Sequence, residues 1–366
     1  MKTSKNKILI LNVEASNVLP FTWYYRRKGY IVIGGSNLAI PSIFFSKSLA
    51  YRIYIPYSNI GKIEVQERGK ERTFISKIKK VCEKYGISLV LSFYENTTKP
   101  LIKYKKELKI KDVYPSYKSY LTLYDKNILK KHLESENFKS FYVPKSYEKI
   151  IKFPCIIKPN IGCGGEYVRV CTNFSELKKY SRMIRLARKK PIIEEYIPFQ
   201  DGIAMNLLID KKFEIKRAVV REVVSRNKLI NVINELGGFF KKIKYFGLAS
   251  PQFLIKDGKL YLIEINPRLT YVPFGIDFGV NFPESFHEAI VENKNIEEKF
   301  VFIPKNYPRG KILYLWRIYK GTYKEISPIF LQCFTHFKWE IENKIRSLVS
   351  PEHRKWLKIF HPKLKL

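Results

Sequence analysis

Three short apolar runs, separated by helix-like stretches, occupy the first hundred residues and constrain the fold more than any other feature of the chain. Lys-Ile-Leu-Ile-Leu-Asn-Val at 7–13, Tyr-Ile-Val-Ile-Gly at 30–34 and Ser-Leu-Val-Leu-Ser at 88–92 have the length and composition of buried strands. A helical stretch through Trp23, Tyr24 and Tyr25 stops at Gly29, and a charged helix at about 69–85 stops at Gly86. A glycine just past the last turn accepts the left-handed conformation that ends helices. Strands alternating with helices predict a parallel sheet covered on both faces. This first α/β unit, residues 1–114, ends near Tyr114-Pro115.

The pattern then changes. A helix is expected from Leu121 to Leu133, with Asp125 and Lys126 in its first half. Strands are expected at 153–158, 167–170 and 191–197, with a helix from Phe174 to Ala187, and two long β segments at 203–224 and 250–265, the latter turning at Asp257-Gly258. Residues 115–300 thus read as one α+β unit, split at about 190 into a smaller and a larger subdomain. A basic, aromatic stretch with helical character closes the chain, residues 301–366.

Composition narrows the function classes. The formal charge is +35, from 68 Lys and Arg against 33 Asp and Glu. The lysines are spread along the whole chain and not gathered in one block, which favours diffuse basicity over a dedicated nucleic-acid surface. The field still favours acidic partners such as nucleotides, anionic glycans or phospholipid surfaces. Five cysteines without a C-x-x-C pair fit a reducing cytosol, not a disulfide framework or zinc site. No apolar run reaches membrane-span length, and a cytoplasmic protein is expected. The aromatic and basic side chains of 301–366 suit packing on the rest of the chain, with peripheral membrane contact as the alternative. The five histidines suggest no Ser-His-Asp or Cys-His arrangement.

The densest chemical signal is Glu264-Ile265-Asn266-Pro267-Arg268. Residues two apart on a strand share a face, so Glu264 and Asn266 can reach one ion. Gln252 joins them only if it lies opposite Glu264. A two-residue turn at Asp257-Gly258 pairs 252 with 263 instead, so a metal site needs a longer turn or a bulge. Three oxygen donors with one formal charge suit magnesium; Glu264 reads equally well as a strand-end carboxylate paired with Arg268. Lys158, at a strand end, precedes Gly162, Gly164 and Gly165, whose backbone could approach phosphate oxygens, although such hairpins are common without a ligand. The run Glu194-Glu195-Tyr196-Ile197, with Gln200 and Asp201 beyond, offers an extended edge to an adenine and polar groups to a ribose; an ordinary amphipathic strand is the alternative. Arg217 and Arg221 fall on one strand face, and Arg221 is a candidate clamp for a substrate carboxylate, or simply a solvated basic side chain.

Taken in order, Asp125-Lys126, the strand to Lys158 with its glycine loop, Glu194 to Ile197, Gln252 and Glu264-x-Asn266-Pro-Arg268 resemble the ATP-grasp superfamily, in its carbamoyl-phosphate-synthetase and biotin-carboxylase-like branch. The resemblance covers roughly residues 1–300. It implies an α/β fold, with an N-terminal parallel-sheet pre-ATP-grasp domain followed by a two-subdomain ATP-grasp fold. It further implies ATP and one or two Mg2+ ions (or Mn2+) as cofactors, and a ligase that activates a carboxylate as an acyl phosphate for attack by an amine. Lys126 and Lys158 would hold phosphates, under the loop at 162–165. Glu195 to Ile197 would meet the adenine, with the Glu194 side chain nearby. Gln252, Glu264 and Asn266 would carry the metal, and Arg268 the transferred phosphate. The chain departs from its relatives at Phe199-Gln200, which leaves the ribose contact open between Gln200 and Asp201. A non-catalytic nucleotide-binding scaffold and a nucleic-acid binder are the competing readings.

Overall fold

The computed structural model describes residues 6–15, 18–37, 46–56, 68–148, 151–162, 165, 167–268 and 272–307. The expected helical extension, apart from one strand at its start, lies outside them, as does Gly164.

The first sheet is parallel throughout, in the order β3 (Tyr51–Tyr54), β2 (Ile31–Ser36), β1 (Lys7–Leu11), β4 (Leu89–Leu91). Helices α1 (Leu19–Arg27), α2 (Arg68–Tyr85) and α3 (Glu95–Leu108) connect or follow its strands. Ile8, Leu9, Ile10, Val32, Ile33 and Val90 are fully buried, as continuous apolar runs in a two-sided sheet require. Gly29 ends α1 with φ +89, the left-handed value its position demands. The core of this unit is not closed by its own residues: Phe282, Phe286 and Ile290, far along the chain, pack into it.

The single helix expected from Leu121 is instead two, α4 (Tyr117–Tyr124) and α5 (Lys126–Glu134). Asp125 adopts an extended conformation between them, and its carboxylate accepts from the Asn127 and Ile128 N–H groups. A short acceptor side chain competing for the backbone breaks the helix there and starts a new one.

A three-stranded antiparallel sheet follows, β6 (Arg169–Cys171), β5 (Cys155–Pro159), β7 (Pro191–Glu195), covered by α6 (Phe174–Leu186). On sequence alone the larger subdomain opens at about 191, whereas β7 hydrogen-bonds β5 from Cys155↔Glu195 to Pro159↔Pro191 and completes the smaller sheet. The expected strand at 203–224 is broken into β8 (Asp201–Ala204), β9 (Asn206–Ile209) and β10 (Ile215–Glu222). With β11 (Gly247–Lys256), β12 (Lys259–Asn266) and β13 (Lys299–Pro304) they form a six-stranded sheet in the order β12-β11-β9-β10-β13, with β8 also paired to β11. Helix α7 (Arg226–Lys242) covers it through Leu229, Val232, Ile233, Leu236 and Phe240. Among the described residues no helix is long and apolar enough to cross a membrane.

The β11–β12 hairpin carries the decisive detail. Asp257 and Gly258, both at positive φ (48 and 70), form the two-residue turn that the right-handed strand twist favours. Pairing starts at Lys256↔Lys259 and runs regularly to Phe253↔Leu262, then slips, so that Gln252 faces Glu264 and Ser250 faces Asn266. Ile263 is the extra residue of a β-bulge. A tight turn and the Gln252–Glu264 juxtaposition therefore coexist.

Candidate active site

The cleft between the small and large sheets gathers side chains from five elements, α5, β5, β7, β11 and β12. Asp125, besides capping α5, accepts from Asn160 Nδ2 at 2.6 Å, and the Lys126 backbone N–H donates to the Asn160 carbonyl at 2.9 Å. These bonds tie the start of α5 to the end of β5, so Lys126 projects across the cleft. Its ammonium donates to the Gly162 carbonyl at 3.0 Å and stands 3.2 Å from Glu264 Oε2. Gly162 has φ +141, a conformation that strains any other residue, so the turn after β5 favours glycine there. Gly165 is also at positive φ, 67.

Lys158 is buried and its ammonium lies 2.7 Å from Glu194 Oε2. It also donates to the Ile263 carbonyl at 3.2 Å, the group displaced from the ladder by the bulge. One irregularity thus turns Glu264 toward Gln252 and gives Lys158 an acceptor. The second Glu194 oxygen faces Lys130, 3.2 Å away on α5. Burial alone would raise the Glu194 carboxyl, but Lys158 and Lys130 outweigh it and hold it below the usual carboxylate range. Glu264 behaves likewise: burial opposes ionisation, while Lys126, the Asn266 amide and Lys158 together hold its carboxyl low.

Gln252, Glu264 and Asn266 thus stand side by side on paired strands, with Asn266 Nδ2 donating to Glu264 Oε1 at 3.0 Å. Among the described residues no three His, Cys, Asp or Glu side chains cluster as a metal site. One ionised carboxylate flanked by two amide side chains fits a hard cation that draws its remaining ligands from phosphate and water. The local Glu264–Arg268 pair that the spacing allows does not form. Arg268 reaches back to the first unit, with Nε 2.6 Å from Glu95 Oε1 and its guanidinium 5.4 Å over the Tyr94 ring.

The hinge beyond β7 runs through Tyr196 and Ile197, and Ile197 and Phe199 pack on Leu254. The Glu195 N–H donates to the Lys145 carbonyl at 2.9 Å. Gln200 exchanges hydrogen bonds with Asp257, and Arg221 Nη2 lies 2.9 Å from both Asp201 oxygens. The structure therefore brings Lys126, Lys158, Glu194, Gln252, Glu264 and Asn266 together, sets Arg268 against the first unit, and pairs Arg221 with Asp201. Two participants escaped the sequence. Lys130 follows Lys126 by one helical turn on the same face, a signal that helical spacing carries. Glu95 has no sequence signal, because only the packing of two distant segments joins it to Arg268.

A family model described as an ATP-grasp domain matches residues 123–272. The carbamoyl phosphate synthase large chain of Helicobacter pylori is 23% identical over 210 residues, covering 51% of this chain and 19% of that protein. The chain thus spans about a fifth of the length of the curated relatives it matches. The biotin carboxylase domain of the Hydrogenobacter thermophilus 2-oxoglutarate carboxylase, solved with MgADP, ADP and bicarbonate, superposes with a TM-score of 0.65 at 16% identity, over 80% of this chain and 71% of that one. An L-amino acid ligase from Bacillus licheniformis superposes with a TM-score of 0.60 at 16% identity, over 81% and 76% of the two chains. Likeness at these identities speaks for the shared fold.

Proposed function

Residues 123–272 are an ATP-grasp domain, and we propose that the chain is an ATP-dependent ligase that activates a carboxylate as an acyl phosphate for attack by an amine, giving an amide, ADP and phosphate. The observation that supports this most is the bulge at Ile263, which aligns Gln252, Glu264 and Asn266 beside Lys126 and Lys158. In this reading ATP would sit between the small and large sheets of the unit that follows residues 1–114, a unit that runs past 300 to include β13. Lys126 and Lys158 hold phosphate oxygens, with Gly162 beside Lys126. The hinge from Glu195 to Ile197 takes the adenine, and Gln200 or Asp201 the ribose.

Gln252, Glu264 and Asn266 would hold magnesium, which would supply positive charge to the phosphate oxygens. The protein's remaining work is alignment and exclusion of water, because phosphoryl transfer needs little covalent help. Arg268, already facing a carboxylate in Glu95, is suited to the transferred phosphate or the acyl phosphate. Asp201 and Arg221 occupy one another, so either meets a substrate only by giving up that pair.

The test is ADP release from Mg-ATP against a panel of amino acids and sugar acids with amines. Turnover is expected only when both an acid and an amine are present, and to vanish in Lys158→Ala. ADP release independent of any acid, or unaffected by Lys158→Ala, would sink the reading.

A further inference from the structure

Lys130 occupies a position that packing alone does not explain. The side chain is 5% exposed, and its ammonium nitrogen finds no aligned hydrogen-bond acceptor, although it stands 3.2 Å from Glu194 Oε1. A buried ammonium has three N–H groups to satisfy, and leaving them unmet is costly. Burial, with Lys158 nearby, holds this ammonium below lysine's usual value, and Glu194 only partly offsets the effect. Lys130 also lines a narrow cleft with Lys126, Glu194 and the apolar side chains of Leu262 and Ile263.

The geometry around Glu194 shows what such a lysine does. Glu194 is 4% exposed, and its two oxygens are divided between two ammonium groups, Oε2 to Lys158 at 2.7 Å and Oε1 to Lys130 at 3.2 Å. Lys158 already gives N–H groups to Glu194 and to the Ile263 carbonyl, so a phosphate would share its charge with Glu194. Glu194 would then depend more on its second ammonium, since a buried carboxylate that loses part of its compensation is unfavourable. Lys130 lies on a different element and keeps its place, with N–H groups in hand. We infer that Lys130 is a positioning residue for nucleotide binding: it takes over the charge of Glu194 and so frees Lys158 for the ATP phosphates. The inference rests on the ATP-binding reading above and assigns that site a further residue.

The arrangement makes Lys130 matter for phosphate, not for the base, and only while Glu194 is charged. Isothermal titration of the full-length protein with Mg-ATP and with adenosine tests both points. In Lys130→Met the dissociation constant for Mg-ATP is expected to rise about tenfold or more, as a tenfold change is ~1.4 kcal/mol, while that for adenosine holds within about twofold. Lys130→Arg should restore Mg-ATP binding. In a Glu194→Gln background, Lys130→Met should cost less than about threefold, because no charge is left to take over. Stability to urea should change little in Lys130→Met, since Lys158 still pairs with Glu194 in the unliganded protein; a purely structural lysine would give a large loss. Equal weakening of Mg-ATP and adenosine, or an undiminished effect in Glu194→Gln, would overturn the inference and leave the ligase reading standing. Failure of the unaltered protein to bind Mg-ATP would overturn both.

Discussion

Two buried polar clusters in this molecule are built on opposite terms. Around the cleft, three ammonium groups (Lys126, Lys130, Lys158) face two carboxylates (Glu194, Glu264), so positive charge is in excess and one ammonium lacks an aligned acceptor. Around His287, which is fully buried, the ring nitrogens lie 3.2 Å from Tyr25 Oη and 2.9 Å from Glu292 Oε1, and the rings of Tyr24, Tyr25 and Tyr30 enclose it. The second cluster is satisfied within the fold and joins the first sheet to the late helices that complete its core. The first is left incomplete by its own chain. A buried group whose partners are all internal acts as structure, whereas an unbalanced one has interactions to spend on a ligand.

The comparison breaks most sharply at Glu264. In Glu264→Ala, ADP release is expected to fall at least about 100-fold, ~2.7 kcal/mol of barrier. Urea stability should move by no more than about 1 kcal/mol, because Lys126 keeps the Gly162 carbonyl and gains solvent access. A large loss of stability with activity retained would make the cleft cluster structural, like its counterpart at His287.

His287→Ala should give the reverse result. It opens a cavity and leaves Tyr25 Oη without its partner, so stability should drop by about 2–3 kcal/mol in urea titration. Mg-ATP affinity, measured on the folded protein, should not change. Burial pushes the His287 imidazole below its ordinary pKa of 6.5, against the hydrogen bond to Glu292 and with opposition from Lys28 and Lys111 to the charged ring. The unfolded chain therefore binds more protons than the folded one just below that value. The contribution is fully present above about pH 6.5 and drains as pH falls toward the lower folded value, at no more than ~1.4 kcal/mol per pH unit. His287→Gln should flatten that slope between about pH 7 and pH 5. An unchanged slope would mean that other groups carry it.

What the sequence made legible follows the same division. The parallel sheet could be read because it rests on local pattern, namely apolar runs, glycine stops and strand periodicity, whereas the set of cleft residues was legible through ordered motifs that resemble the ATP-grasp superfamily. The need for a longer turn or a bulge at the hairpin was legible too, since a two-residue turn and a shared side-chain face cannot otherwise be reconciled. That the bulge sits at Ile263 and lends its carbonyl to Lys158 was not, because a third segment decides it. The break at Asp125 was missed for a related reason: its carboxylate competes with the helix only where Asn160 and the end of β5 are present to hold it. The closure of the first core by Phe282 and Phe286, and the Glu95–Arg268 pair, depend on chain packing across long separations and leave no local trace.

Arg221 tests where the boundary between the two kinds of cluster lies. It pairs with Asp201 in the large sheet, but the pair is partly open to solvent, with side-chain exposures of 19% and 29%. Screening by water limits what such a pair contributes. Arg221→Ala should therefore lower stability by only about 0.5–1 kcal/mol. Its effect on the Michaelis constants decides its role. If Arg221 serves only to hold Asp201, Asp201→Asn and Arg221→Ala should raise the constant for ATP together and by similar factors, and the double variant should add little. If it clamps the acid, Arg221→Ala alone should raise the constant for the acid about tenfold, as loss of a charge-assisted bidentate contact requires. The observed geometry, both Asp201 oxygens on one guanidinium nitrogen, favours the first outcome. Arg221 would then belong with His287 among the groups satisfied by the fold.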